Sequence, residues 1–392
     1  MGENEFGTFR STYRITSFLL CITMMYPNRN TIKQRLLGFA LETLFFLPMV
    51  LILLFNTFDC LIRRDILNLT HHSTVVGPYF GGLLKIMISN YRALEGEMLI
   101  AEIDRDYAMY NTLPEKYHVI VRCWIRNSQI YAEKFWNLMV TISGFTYLSM
   151  TVFVNIKSQL YDEIPKRTHI HDALIPFADP DLRFQTPYFE FMFGQCMIGV
   201  LLITIYYLGF DSFFALALNH ACLKIEIFCE LLANAMEVKN KENRLKKIEC
   251  VIMEHLRLFT YIERVQKFFN IYLGIVLFAT LIQIGTCLYH ITENEEQDYQ
   301  RLMITVVSIG AIYLPCYYSS KLKFVANDSA TKSYFAGWHK VPCMTTRKIV
   351  LFMIARAQIP VLIMGFNFII FDMQLFLSIL QSAYSIYTLL CS

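Results

Sequence analysis

Hydrophobic stretches of about 20 residues recur along this chain, and that length is what a helix needs to cross the hydrocarbon core of a bilayer. They fall near Leu36 to Phe55, Ile66 to Ser89, Phe135 to Ile156, Tyr188 to Phe210, Phe268 to His290 and Leu302 to Ser320, with a longer apolar stretch from Ile349 to Leu390. Mean hydropathy is +0.40 and charged residues make up 17%, against about 25% in an ordinary soluble domain. The pattern predicts an all-α, polytopic membrane protein. The last stretch runs to the end of the 392 residues, so a signal is expected to pass through the membrane helices or inner loops rather than a C-terminal domain.

The stretch from Ile349 to Leu390 is long enough for two spans, but only Asp372 separates its halves, and two antiparallel spans cannot reverse on one residue. Arg356, Gln358 and Pro360 interrupt the first half, and an Arg at a helix centre costs about 2.5–3.5 kcal/mol on insertion scales. The reading is therefore a helix over Thr345 to Ile359 packed inside protein near the inner face, a break at Pro360, and a last span over Asp372 to Leu390. That makes seven transmembrane helices.

Lys and Arg set the orientation. Alternate segments between the spans carry 23 and 6 of them, which places the N-terminus in the cytoplasm and the C-terminus outside. The acidic loop with Glu293, Glu295, Glu296 and Asp298 is then external. The organisation expected is a cytoplasmic N-terminal segment (1–35), six spans (36–320) with a long inner loop (219–266), a cytoplasmic region (321–371) and the last span (372–392). Phe18 to Met25 reads as an amphipathic segment on the inner membrane face. Apolar residues continuing past Phe210 predict a fourth helix that projects into the cytoplasm, then a solvated basic turn over Lys239 to Lys247 and a second long helix over Ile248 to Phe269.

No catalytic constellation emerges. His169, His171 and Asp172 form an HxHD string in an outer loop, but no third ligand stands near them in the sequence and zinc needs three or four, so no metal and no cofactor are expected. The eleven cysteines sit mostly in spans or inner segments and read as small apolar fillers. Asn68-Leu69-Thr70 fits a glycosylation sequon very close to the membrane, and Gly81-Gly82 suits close helix packing. Nothing resembles nucleic-acid machinery. Asp104-Arg105-Asp106-Tyr107 is superficially similar to the triplet of G-protein-coupled receptors, but it follows the second span, no NPxxY string occurs in the last one, and the charge bias gives the opposite orientation.

Tyr334-Phe335-Ala336-Gly337-Trp338, Arg347 to Phe352 (RKIVLF), Arg356 to Pro360 (RAQIP) and Ser378 to Leu390 (SILQSAYSIYTLL) resemble the C-terminal signature of insect odorant receptors. The strong match covers about 60 residues, and span spacing and orientation agree over the whole chain. Asn367 to Phe371 departs from the family's usual small and Pro-rich bend. The resemblance implies a subunit of a ligand-gated, non-selective cation channel, four subunits around one pore lined by the last helix, in the plasma membrane of olfactory neurons. It also implies assembly with a shared co-receptor. That co-receptor has a longer second inner loop, so this chain resembles the odorant-tuning subunit.

On that reading Trp338, Arg356, Gln358, Pro360 and Tyr384 serve assembly. Gln381, Ser385, Thr388 and Ser392 form a weakly polar stripe facing the pore, and Leu389 is a candidate hydrophobic constriction. A small volatile odorant is expected in the outer half of the bundle, among His72, Val75, Val76, Tyr79, Tyr147, Met150, Phe189, Phe193, Met197, Met303, Val306 and Val307. Membrane lipid is the remaining partner. The orientation has a direct test in live, unpermeabilised cells: an epitope tag after residue 392 is labelled by antibody and one at Met1 is not, whereas labelling at Met1 would overturn the orientation.

Overall fold

The computed structural model describes residues 5–27, 32–162, 164–293 and 299–391. Two short helices, α1 (Phe9–Thr12) and α2 (Arg14–Ile22), precede α3 (Ile32–Arg63), α4 (Ile66–Tyr91), α5 (Ala93–Tyr110) and α6 (Glu115–Asn127). A π-helical turn (Ser128–Phe135) leads into α7 (Trp136–Tyr161), followed by α8 (Tyr188–Glu237), α9 (Lys241–Glu293), α10 (Tyr299–Phe335), α11 (Met344–Ala357) and α12 (Met373–Cys391). Seven of these, α3, α4, α7, α8, α9, α10 and α12, are the expected spans. Six are long and apolar enough to cross a bilayer by composition alone. The exception is α4, which carries Thr70, His72, Thr74, Lys85 and Ser89 as buried residues. It meets the other helices on a polar face, which lowers its hydropathy without removing it from the bundle.

The end of the chain follows the argument from Asp372. Helix α11 stops at Ala357, and Pro360 is exposed in the segment after it. Met364–Gly365 (β1) and Ile369–Ile370 (β2) then pair as a small antiparallel hairpin, with Phe366 and Asn367 at positive φ in its turn. Asp372 caps α12 by accepting from the backbone N–H of Gln374 and Leu375. The departure at Asn367 to Phe371 thus folds as a hairpin strand and turn.

The inner half is built on two very long helices. Helix α8 has 50 residues and α9 has 53; at 1.5 Å per residue each runs about 75–80 Å, far beyond the ~30 Å hydrocarbon core. The expected second long helix over Ile248 to Phe269 runs without a break into the fifth span as α9. The expected turn over Lys239 to Lys247 is correspondingly short: residues 241–247 are already helical. The segment Phe18 to Met25, read as an amphipathic segment at the membrane face, belongs to an N-terminal unit that docks one face into protein and leaves the apolar Phe18 and Ile22 exposed on the other, at 64% and 47%. Phe9 and Leu20 are fully buried, Phe9 packs its ring edge-on against Phe213 of α8, and the Thr16 N–H donates to the buried Glu133 carboxylate at 2.8 Å. The expected external loop lies mostly in 294–298, and Ser392 with it lies outside the described residues.

The Asp-Arg-Asp-Tyr string anchors this inner bundle. Asp106, wholly buried on α5, accepts from Lys224 Nζ at 2.5 Å and lies 2.9 Å from His220 Nε2, both on α8. Burial alone would raise its pKa, yet His220 and the Lys224 charge hold the carboxyl below its ordinary range. Arg105 donates to Glu102 and Asp106, the Tyr107 and Tyr13 hydroxyls lie 2.9 Å apart, and Asp104 accepts the Phe9 N–H. Removing one partner of a buried pair costs about 3–5 kcal/mol. Asp106→Ala is expected to lower stability by that order in thermal unfolding of the detergent-purified protein, with Glu242→Ala, on an exposed surface pair, unchanged within about 0.5 kcal/mol.

Candidate functional site

Five helices enclose a cavity of about 120 Å³, near the ~150 Å³ of an apolar engineered cavity that takes up benzene. Its walls are Thr74, Val75, Pro78 and Tyr79 of α4, Val140, Ser143, Gly144 and Tyr147 of α7, Val200, Ile203, Thr204 and Tyr207 of α8, Thr280 and Gln283 of α9, and Ile304, Val307, Ser308 and Ala311 of α10. The polar lining is largely turned inward on the backbone. Thr74, Thr204, Thr280 and Ser308 donate to carbonyls of their own helices. Ser143 donates to the Met303 carbonyl and Gln283 to that of Thr74. With these donor protons engaged, the hydroxyl oxygens offer acceptor capacity only. The cavity is chemically suited to a small, mostly apolar molecule.

Of the residues expected around a ligand, Val75, Tyr79, Tyr147 and Val307 are brought together on this wall. The others are not. Met303 contributes its carbonyl to Ser143, Val76 and Met150 are half-buried beside the cavity, and Val306 and Met197 face outward, 43% and 37% exposed. Phe189 and Phe193 stack with His169 in an outer aromatic group. His72 lies two residues before Thr74, its Nδ1 3.0 Å from His171 Nε2.

A buried ion pair underlies the cavity floor. Lys85 Nζ donates to Asp211 Oδ1 at 2.7 Å, both side chains 2% exposed. The same ammonium sits 3.3 Å from the centre of the Tyr207 ring, and Tyr272 of α9 donates its hydroxyl to Asp211 at 2.7 Å. The sequence reading missed this pair. A Lys within span two and an Asp in the apolar continuation of span four were its signal, because charges at membrane depth need partners.

The outer cover is the loop between α7 and α8. Asn56 holds Leu174 through both backbone N–H and C=O, Asn155 does the same for Thr168, and the Tyr147 hydroxyl reaches the Ile170 carbonyl. Pinned in this way, Ile170, His171 and Ala173 are buried. The expectation that the outer histidines lack a further ligand is corrected here: His71, His72 and His171 converge, while His169 turns away with its Nε2 3.1 Å from the Arg183 carbonyl.

Below the cavity, α9 lies against the end of the chain. A side chain at Gly285 would meet Ile386 at 2.8 Å, and one at Gly274 would overlap the Phe366 ring. Helix α12 buries Ile379 and Ala383 and exposes Gln381, Ser385, Thr388 and Leu389, Leu389 at 74%. Ser385 and Thr388 hydroxyls donate to Gln381 and Ser385 carbonyls. Of the residues expected in assembly, Arg356 lies 3.8 Å over the Phe259 ring of α9 and Trp338 is half-buried. Gln358, Pro360 and Tyr384 are exposed, as are Phe335 and Phe352 beside them at 75% and 80%.

The model of the 7tm odorant receptor family matches residues 69–384. The chain belongs to that family. Its frame is a receptor and not an enzyme, and the chain is a multi-pass membrane protein. It is 27% identical over 206 residues to Odorant receptor 94a of Drosophila melanogaster, across 51% of this chain and 53% of that protein; the alignment thus spans about half the length of that relative. The fold is similar to that of the insect olfactory receptor OR5 from Machilis hrabei in complex with eugenol, with TM-score 0.80, 14% identity and coverage of 97% and 98% of the two chains. A second structure of OR5 gives TM-score 0.74, with 97% of each chain covered.

The ion pair in this receptor yields a paired test. Lys85→Met strands the Asp211 carboxylate and is expected to lower surface expression several-fold, whereas Lys85→Met with Asp211→Leu restores it, because an apolar pair of similar volume replaces a buried ion pair at little cost. Surface biotinylation reads both.

Proposed function

We propose that this receptor is the odorant-tuning subunit of an odorant-gated, non-selective cation channel. The observation that carries this reading is the two-sided placement of α9: Thr280 and Gln283 face the cavity while Gly274 and Gly285 abut the hairpin and α12. Positions 274 and 285 are about three turns apart and so share one face, opposite to 283. A ligand that fits the cavity better in one placement of α9 favours that placement, and α12 follows; ligand acts only through such differential affinity.

Helix α12 presents Gln381, Ser385 and Thr388 on a face the single chain leaves exposed, which suits a water-filled pore shared between subunits. Leu389 near the outer end is the hydrophobic constriction, able to gate by dewetting. The apolar side chains exposed around α11, Phe335 and Phe352 among them, with Gln358 and Pro360, form the contact region with neighbouring subunits. Those neighbours include a co-receptor in a heterotetramer at the plasma membrane. The ligand is a small volatile; burial of roughly 300 Å² of apolar surface gains about 7 kcal/mol, which after association costs leaves an affinity weaker than the micromolar range of about 8 kcal/mol.

Co-expression with the co-receptor and recording of currents across a panel of volatiles tests the reading. Tyr79→Ala and Tyr147→Ala are expected to shift half-maximal concentrations by about tenfold or more, since losing an aromatic wall costs over 1 kcal/mol, while reversal potentials stay fixed. Odorant responses that vanish in excised patches without nucleotide would count against direct gating.

A further inference from the structure

Three imidazoles meet under the outer cover of the cavity, two from the start of α4 and one from the α7–α8 loop. His72 Nδ1 and His171 Nε2 stand 3.0 Å apart, and the His71 ring stacks on His171 with centroids 4.4 Å apart and planes 6° from parallel. One ligating nitrogen from each lies within 4.8 Å of the others. His72 and His171 are 5% and 4% exposed, and His71 Nε2 is buried with no hydrogen-bond partner. The asparagine clamps at Leu174 and Thr168 hold His171 in place.

We propose that His71, His72 and His171 form a binding site for one divalent transition-metal ion of the zinc class. Zn–N bonds of about 2.0–2.1 Å place two nitrogens of a tetrahedral site about 3.3 Å apart, close to the spacing His72 and His171 already have. An ion between them replaces a single hydrogen bond; the His71 ring, stacked parallel on His171, turns to bring Nε2, which has no hydrogen-bond partner, into line with the ion, and a fourth position is left for water. An all-imidazole set selects zinc, copper, nickel or cobalt over calcium or magnesium, which take oxygen ligands.

Arg301 opposes this binding. Its Nη2 lies 2.9 Å from His71 Nδ1 and can only donate, so Nδ1 accepts and Nε2 carries the proton. Ligation through Nε2 moves that proton to Nδ1, and the guanidinium must withdraw. His290 is close, but its Nε2 faces Thr70 at 2.9 Å, and it is outside the set.

The test is direct titration of the full chain, purified in detergent through a histidine-free affinity tag and stripped by chelator. Cobalt(II) is expected to bind at one equivalent per chain with the visible absorption of four-coordinate cobalt, and zinc to displace it. His72→Ala and His171→Ala each weaken binding by at least about tenfold, His169→Ala leaves it unchanged and Arg301→Gln tightens it. Zinc raises the thermal-unfolding midpoint of the wild type but not that of His171→Ala; if an alanine variant fails to fold, His171→Gln supplies the comparison. Absence of saturable cobalt binding by the folded wild type, or equal binding in the His72 and His171 variants, overturns the site. None of these readouts uses channel current, so that result leaves the functional reading standing.

Discussion

Close contact between α9 and the end of the chain is the constraint on which the rest of this receptor depends. Two positions without side chains, Gly274 and Gly285, let the Phe366 ring and Ile386 approach the α9 backbone to distances that a Cβ would forbid. Around them the hairpin is tied to the same helix by polar bonds: Gln266 exchanges hydrogen bonds with Met364, and Asn270 receives the N–H groups of Phe366 and Asn367. Packed interfaces of this kind move between discrete arrangements rather than deform continuously. Helix α9 forms a cavity wall on one side and clamps the hairpin on the other, and in the proposed function this helix is the route from ligand to α12.

Charge burial sets the second constraint. At membrane depth, Lys85 and Asp211 satisfy each other and are joined by Tyr207 and Tyr272, which ties α4, α8 and α9 together directly beneath the ligand cavity. In the inner half, Asp106 does the same for α5 and α8 through His220 and Lys224. Each pair is costly to break by single substitution, so these charges fix which helices stay together, leaving the apolar contacts around the cavity free to adapt to a ligand.

The seven spans were legible because each apolar run has bilayer length, and the reading of Asp372 was correct because chain reversal is a geometric demand that no composition can evade. The start of α9 at Lys241, inside the basic run read as a turn, was not legible, since solvated charges do not mark where a helix begins. For the cavity, Val75, Tyr79, Tyr147 and Val307 lie on the wall, whereas Val306 and Met197 face outward. On a helix that is apolar all round, the sequence does not say which face meets protein and which meets lipid. The histidine cluster was hidden for another reason: 99 positions separate His72 from His171, and contacts made in the folded chain, the asparagine clamps and the Tyr147 hydroxyl on the outer loop among them, bring them together.

The central claim is that ligand in the cavity repositions α12 at a pore. Substituted-cysteine accessibility measures this most directly, with Ser385→Cys placed in a Cys391→Ser background, since Cys391 is itself exposed. With co-receptor present, a charged thiol reagent applied from outside is predicted to modify position 385 several-fold faster during odorant application and to block the current. A modification rate indifferent to odorant, or modification that leaves the current intact, would contradict the account.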